Sequence, residues 1–149
     1  MEFLQSRKNK YHILLVEDNP ADIRLTKEAL KESSLEITLD VVMDGEAALD
    51  FLLKRKGYSD ATTPLIILLD LNLPKKNGLE VLKEIKADES LKEIPVIVLT
   101  TSDAKHDITR AYQLYANCYI IKPIDFDEFS KVIQLIEAFW FRAAKLPAA

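Results

Sequence analysis

The chain has one cysteine, Cys118, so no intrachain disulfide can form and no cysteine cluster can hold a metal. The lone thiol reads as a small apolar residue on a buried strand. Glycine is almost as scarce, with Gly45, Gly57 and Gly78 the whole complement. Neither G-x-G-x-x-G nor G-x-x-x-x-G-K-[ST] can be assembled from these three, which excludes the two common nucleotide-cradling loops and a flavodoxin-type cofactor site with them. His12 and His106 are far from metal spacing and read as a strand-start residue and an exposed helix residue. No apolar run approaches the roughly 18 residues that a membrane-spanning helix needs. "MEFLQSRKNK" at the N-terminus has no signal-peptide core, so a cytoplasmic location is expected. Basic residues are not in excess: 20 Lys and Arg face 24 Asp and Glu, and the net charge of −4 gives nucleic acid no basic stripe to bind.

What is there suits one soluble domain. The 149 residues are 48% hydrophobic and 30% charged, enough for a proper core. A single domain over 1–149 is expected, with a core from about 12 to 142 and tails at 1–10 and 143–149. Short apolar runs alternate with longer helical patterns. "HILLV" (12–16), "ITLDVV" (37–42), "LIILL" (65–69), "PVIVL" (95–99) and "CYII" (118–121) read as strands. Helical patterns follow each one. Asn19 with Pro20, Asp44 and Asp125 are the expected N-terminal caps of the first, second and last helices. The third helix runs from about Gly78 to Ala87, and residues 54–64 form a polar loop ending at Pro64. Strands alternating with helices imply an α/β fold, a doubly wound parallel sheet with helices on both faces. The five-stranded, flavodoxin-like form has the order 2-1-3-4-5.

In such sheets ligands bind beyond the carboxyl ends of the strands. The first strand ends in Glu17-Asp18, the third in Asp70, the fourth in Thr100-Thr101 and the fifth in Lys122-Pro123. Each residue alone could be a helix cap or a loop charge. Together they put three carboxylates, hydroxyls and a lysine on one edge. Crowded acids raise one another's pKa unless a cation joins them, and oxygen ligands with solvent access suit Mg²⁺. Lysine and threonine can hold a phosphoryl group, and a carboxylate can be the nucleophile that accepts one. Asp70 therefore ends a buried aliphatic run because a rigid strand holds a reacting oxygen still.

"LVEDN" (15–19), "LLDLNLPKKNG" (68–78), "VLTTS" (98–102) and "YIIKP" (119–123) resemble the receiver domain of two-component response regulators, over residues 12 to about 142. The resemblance implies Asp70 as phosphoacceptor, Asp18 as a direct Mg²⁺ ligand, Glu17 acting on the metal largely through water, and Asn72 giving a backbone carbonyl. Mn²⁺ is expected to substitute. It further implies that Thr100 and Lys122 bind phosphoryl oxygens, that Lys122–Pro123 is cis, and that Tyr119 is a switch aromatic that follows Thr100. The loop at 54–64, "NCYIIKP" and the ending "IEAFW" resemble small stand-alone regulators paired with bacterial phytochromes and related sensor kinases. The implied function is acceptance of a phosphoryl group from a sensor histidine kinase, with autocatalysed phosphorylation and dephosphorylation as the only chemistry. A shuttle or sink in a phosphorelay has the same site and stays open. An aspartate-nucleophile phosphatase needs a general acid two residues after the nucleophile, and position 72 is Asn.

Because no helix-turn-helix or effector enzyme follows residue 142, the output is expected to be a surface of this domain. Phe129, Val132, Ile133, Ile136 and Trp140 form one helical stripe for the core. Leu135 and Phe139 widen it, and Phe141 falls about 120° from its centre at about 3.6 residues per turn. Leu135, Phe139, Trp140 and Phe141 are thus interface candidates, with Lys131, Glu137 and Arg142 as their rim. A single exposed phenylalanine would be ordinary; as an interface, the patch would take a second copy in a twofold homodimer or the kinase's histidine-bearing helices.

Overall fold

A computed structural model describes residues 11–147. Five parallel strands, β1 (Tyr11–Val16), β2 (Ile37–Val42), β3 (Ile66–Leu69), β4 (Val96–Thr100) and β5 (Cys118–Ile121), form one sheet in the order β2-β1-β3-β4-β5. The helices are α1 (Pro20–Lys31), α2 (Gly45–Leu52), α3 (Gly78–Ala87), α4 (Lys105–Gln113) and α5 (Phe126–Glu137). A π-helical turn, Ala138–Ala143, continues α5. No described helix is long and apolar enough to cross a membrane.

The aliphatic runs of β1, β3 and β4 are buried on both faces, as covered parallel strands must be. Alternate side chains divide them between two cores. Leu14, Val16, Ile67, Leu69, Val96 and Val98 pack with α2, α3 and Ala111 of α4. Ile13, Leu15, Ile66, Leu68, Ile97 and Leu99 pack with α1 and α5. The pleat enforces this split, because neighbouring side chains leave a strand on opposite faces. The edge strands β2 and β5 are only partly buried.

Caps fix where the helices begin. Asn19 Oδ1 accepts the N–H groups of Ala21 and Asp22, Asp44 accepts that of Ala47, and Asp125 accepts that of Glu128. At α3 a complete capping box closes: Asn77 accepts from Glu80 N–H and Glu80 Oε1 accepts from Asn77 N–H. Two glycines let backbone pack where a methyl group could not. A Cβ on Gly45 would lie 1.9 Å from Lys76 O, and one on Gly78 would lie 2.4 Å from Asp70 O. The loop from Asp70 to Gly78 is therefore pressed against α2, and Gly78 N–H closes it on Leu71 O at 2.9 Å.

The end of α5 departs from its expected register. Phe141 is buried, 8% exposed, with its ring 4.8 Å from that of Tyr11. The expected exposure assumed α-helical spacing. The π-turn, with Ala144 N–H bonded to Phe139 O, closes wider rings and rotates Phe141 under β1. Glu137, expected on a polar rim, is also buried and accepts hydrogen bonds from Ser33 Oγ at 3.1 Å and Arg142 Nε at 3.0 Å. Leu135 and Phe139 are exposed, and Trp140 is half-buried with Phe139 edge-on to it.

Candidate functional site

The sheet delivers its polar residues to one edge. Glu17 follows β1 directly and is tied down at its amide, which donates to Val42 O at 3.0 Å. Asp70 follows β3, and its N–H donates to Val16 O at 3.0 Å. Lys122 follows β5, with its N–H on Thr100 O at 2.7 Å. The register Leu69↔Val98 carries Thr100, wholly buried, to the level just past Asp70. Each of these four side chains is thus one residue from, or at the end of, a paired strand.

The side chains converge as the strand ends indicate. Carboxylate oxygens of Glu17, Asp18 and Asp70 lie within 4.8 Å of one another. Glu17 and Asp70 are buried, 2% and 6% exposed, while Asp18 is exposed and opens the group to solvent. Lys122, itself buried, donates to Glu17 Oε1 at 2.6 Å and Asp70 Oδ2 at 3.1 Å. Asn72 N–H donates to Asp70 Oδ1 at 3.2 Å, so the Asp70 carboxylate is held at both oxygens.

A third acid reaches the lysine. Asp22 Oδ2 accepts from Lys122 Nζ at 2.9 Å. Asp22 does not end a strand, so the strand-end pattern passes over it. Its signal is the Asn19-Pro20 cap, which places Asp22 in the first turn of α1, directly above the edge that carries Glu17.

Four carboxylates around one ammonium leave the site short of positive charge. Burial pushes the Glu17 carboxyl up to about 7, against the pull of its hydrogen bond from Lys122; the nearby Asp70 charge adds to the rise. Burial alone would lower Lys122, but its bonds to Asp22 and Glu17 and the charges of Glu17 and Asp70 outweigh that and raise its pKa. An all-oxygen set with one solvent-facing member and a carboxylate this reluctant to ionise fits a hard divalent cation.

On the neighbouring edge Tyr119 is half-buried, and its hydroxyl donates to Ser102 O at 2.9 Å. Ser102 Oγ donates to Asp107 at 2.6 Å, and Ser102 N–H reaches Thr100 Oγ1 at 3.5 Å. Thr100 and Tyr119 are thus joined through Ser102. The Lys122–Pro123 bond is trans, not cis; no described peptide bond is cis. With the trans bond Lys122 N–H stays on Thr100 O, and its ammonium reaches Glu17, Asp22 and Asp70.

Comparison with known proteins agrees with this geometry. The family model described as the response regulator receiver domain matches residues 13–134. Response regulator Rcp1 of Synechocystis sp. is 49% identical over 137 residues, 92% of this chain and 93% of that protein. The crystal structure of the phosphorylated cyanobacterial phytochrome response regulator RcpA superposes with a TM-score of 0.91 at 48% identity, covering 93% of this chain and 99% of that one. The Mn²⁺-bound form of response regulator Rcp1 gives a TM-score of 0.89 at 48% identity, with the same coverage. The match runs from β1 well into α5 and takes in every strand end described above, and the chain belongs to the response regulator receiver domain family.

Proposed function

We propose that the chain works as one receiver domain that accepts a phosphoryl group on Asp70 from the phosphohistidine of a sensor kinase. The observation that carries this is the Asp70 carboxylate, buried at a strand end with one oxygen on Asn72 N–H and the other on Lys122 Nζ. In the transfer an Asp70 oxygen attacks phosphorus, a P–O bond forms, and the P–N bond to the histidine breaks. The imidazole leaves with the bonding electron pair, and Asp70 becomes an acyl phosphate. Lys122 offers its charge to a phosphoryl oxygen, and Thr100 offers its hydroxyl from the end of β4. Such transfers depend mostly on positioning and charge neutralisation.

Glu17, Asp18 and Asp70, with the backbone carbonyl of Asn72, would hold Mg²⁺, or Mn²⁺ in its place. Bound there, the cation supplies the positive charge that the phosphoryl oxygens require in the transition state. Phosphorylation then shifts the Thr100–Ser102–Tyr119 chain of contacts and, with it, the face built from α4, β5 and α5. Relatives named for phytochrome support a phytochrome-type kinase as the partner, in the cytoplasm. Leu135, Phe139 and the half-buried Trp140 remain the candidates for a homodimer contact, which sedimentation at micromolar protein tests.

The test is labelling by acetyl phosphate or a cognate kinase. Wild-type protein should label with Mg²⁺ and not with EDTA, and Asp70→Asn should not label. Equal, acid-stable labelling of Asp70→Asn would overturn the assignment.

A further inference from the structure

Lys122 has three N–H donors, and each has an oxygen within reach: Glu17 Oε1 at 2.6 Å, Asp22 Oδ2 at 2.9 Å and Asp70 Oδ2 at 3.1 Å. In phosphoryl transfer two of these acids acquire other duties. Asp70 gives an oxygen to phosphorus. Glu17 belongs to the group of carboxylates that would face a cation. Asp22 is outside that group, and its side chain is free to keep Lys122 throughout.

Asp22 is also well held. Its N–H donates to Asn19 Oδ1 at 3.1 Å, and its carbonyl accepts from Thr26 Oγ1 at 2.8 Å. Asn19 is in turn fixed to the pocket, with its N–H on Glu17 Oε2 at 3.1 Å. The Asp22 side chain is 21% exposed against 3% for Glu17, so it caps the lysine from the solvent side. A lysine is a point charge on a flexible stem, and its aim depends on what holds the ammonium.

We propose that Asp22 is a positioning residue for the transfer: it keeps the Lys122 ammonium on the phosphoryl group after Glu17 and Asp70 have turned to the cation and to phosphorus. This rests on Asp70 being the phosphoacceptor. A merely structural Asp22 would affect stability alone; a positioning Asp22 affects the rate of transfer.

The experiment measures phosphorylation of the full chain by acetyl phosphate at saturating donor, with Mg²⁺ titrated, for wild type, Asp22→Ala, Asp22→Asn and Asp70→Asn. Thermal unfolding of each is recorded, and Asp22→Asn, which keeps the shape without the charge, stands in if Asp22→Ala does not fold. Both Asp22 variants should react about tenfold or more slowly at saturating Mg²⁺, with the half-saturating Mg²⁺ concentration unchanged. A wild-type rate or a faster one in Asp22→Asn would overturn the proposal. So would a slow rate that excess Mg²⁺ restores, since that would make Asp22 part of the cation site. The Asp70→Asn control separates the two ideas: labelling there defeats the phosphoacceptor assignment, whereas its absence with fast Asp22 variants defeats only the role of Asp22.

Discussion

Lys122 Nζ lies 2.6 Å from Glu17 Oε1 across 105 positions of sequence, with both side chains almost fully buried. The pair joins the ends of β1 and β5, on opposite sides of β3 and β4 in the sheet. Removing the ammonium leaves Glu17 and Asp70 facing each other without a counter-charge. Lys122→Ala should therefore cost about 3 kcal/mol of metal-free stability. Urea unfolding in EDTA measures this, and Mg²⁺ should recover part of the loss.

The raised Glu17 carboxyl gives the metal-free protein a distinct pH response. Burial holds its folded pKa at about 7, above the ordinary glutamate value of 4.5. A group that binds protons more tightly when folded loses stability as pH rises between those values. Lys122 is also raised, so its contribution is complete below 10.5 and is lost as pH rises through its folded value. Stability in EDTA should fall by about 1–3 kcal/mol between pH 4.5 and 7 through Glu17. Because the metal requires the ionised carboxylate, Mg²⁺ should bind more tightly as pH rises through 7, with proton release seen by calorimetry in buffers of different ionisation enthalpy.

Asp18 is exposed, so its repulsion with Glu17 and Asp70 is screened by water. Asp18→Ala should change metal-free stability by less than about 1 kcal/mol. It should, however, abolish the rise in melting temperature that Mg²⁺ gives the wild type. Thermal scans with and without MgCl₂ decide this.

Phe141 and Phe139 should behave oppositely. Phe141 is buried against Tyr11, and Phe141→Ala should cost about 3 kcal/mol. Phe139 is 55% exposed, and Phe139→Ser should stay within about 1 kcal/mol of wild type. Denaturant midpoints of the two variants make the comparison.

Much of this was legible in the chain. The aliphatic runs of β1, β3 and β4 could only be doubly covered strands, and once they were placed, Glu17, Asp18, Asp70, Thr100 and Lys122 fell on one edge. The caps expected at Asn19, Asp44 and Asp125 all form, whereas the full capping box at Asn77 and Glu80 emerges only in the structure. Asp22 was harder to see because its contact with Lys122 crosses 100 positions and depends on how α1 leaves β1. Phe141 was misplaced because periodicity supposes a constant turn, and the helix widens after Glu137. The trans bond at Pro123 could not be read either: the two isomers of such a bond differ by only about 1 kcal/mol, and local packing selects between them.

The most direct measurement is to locate the phosphoryl group. Protein phosphorylated by acetyl phosphate in Mg²⁺ is reduced with borohydride, which converts an acyl phosphate at aspartate to homoserine, and the product is digested and sequenced by mass spectrometry. Homoserine at position 70, and its absence when EDTA replaces Mg²⁺, is the expected result. Homoserine at Asp18 or Asp22, or a phosphoryl group that survives borohydride on Thr100 or Ser102, would contradict the assignment of Asp70 as the acceptor.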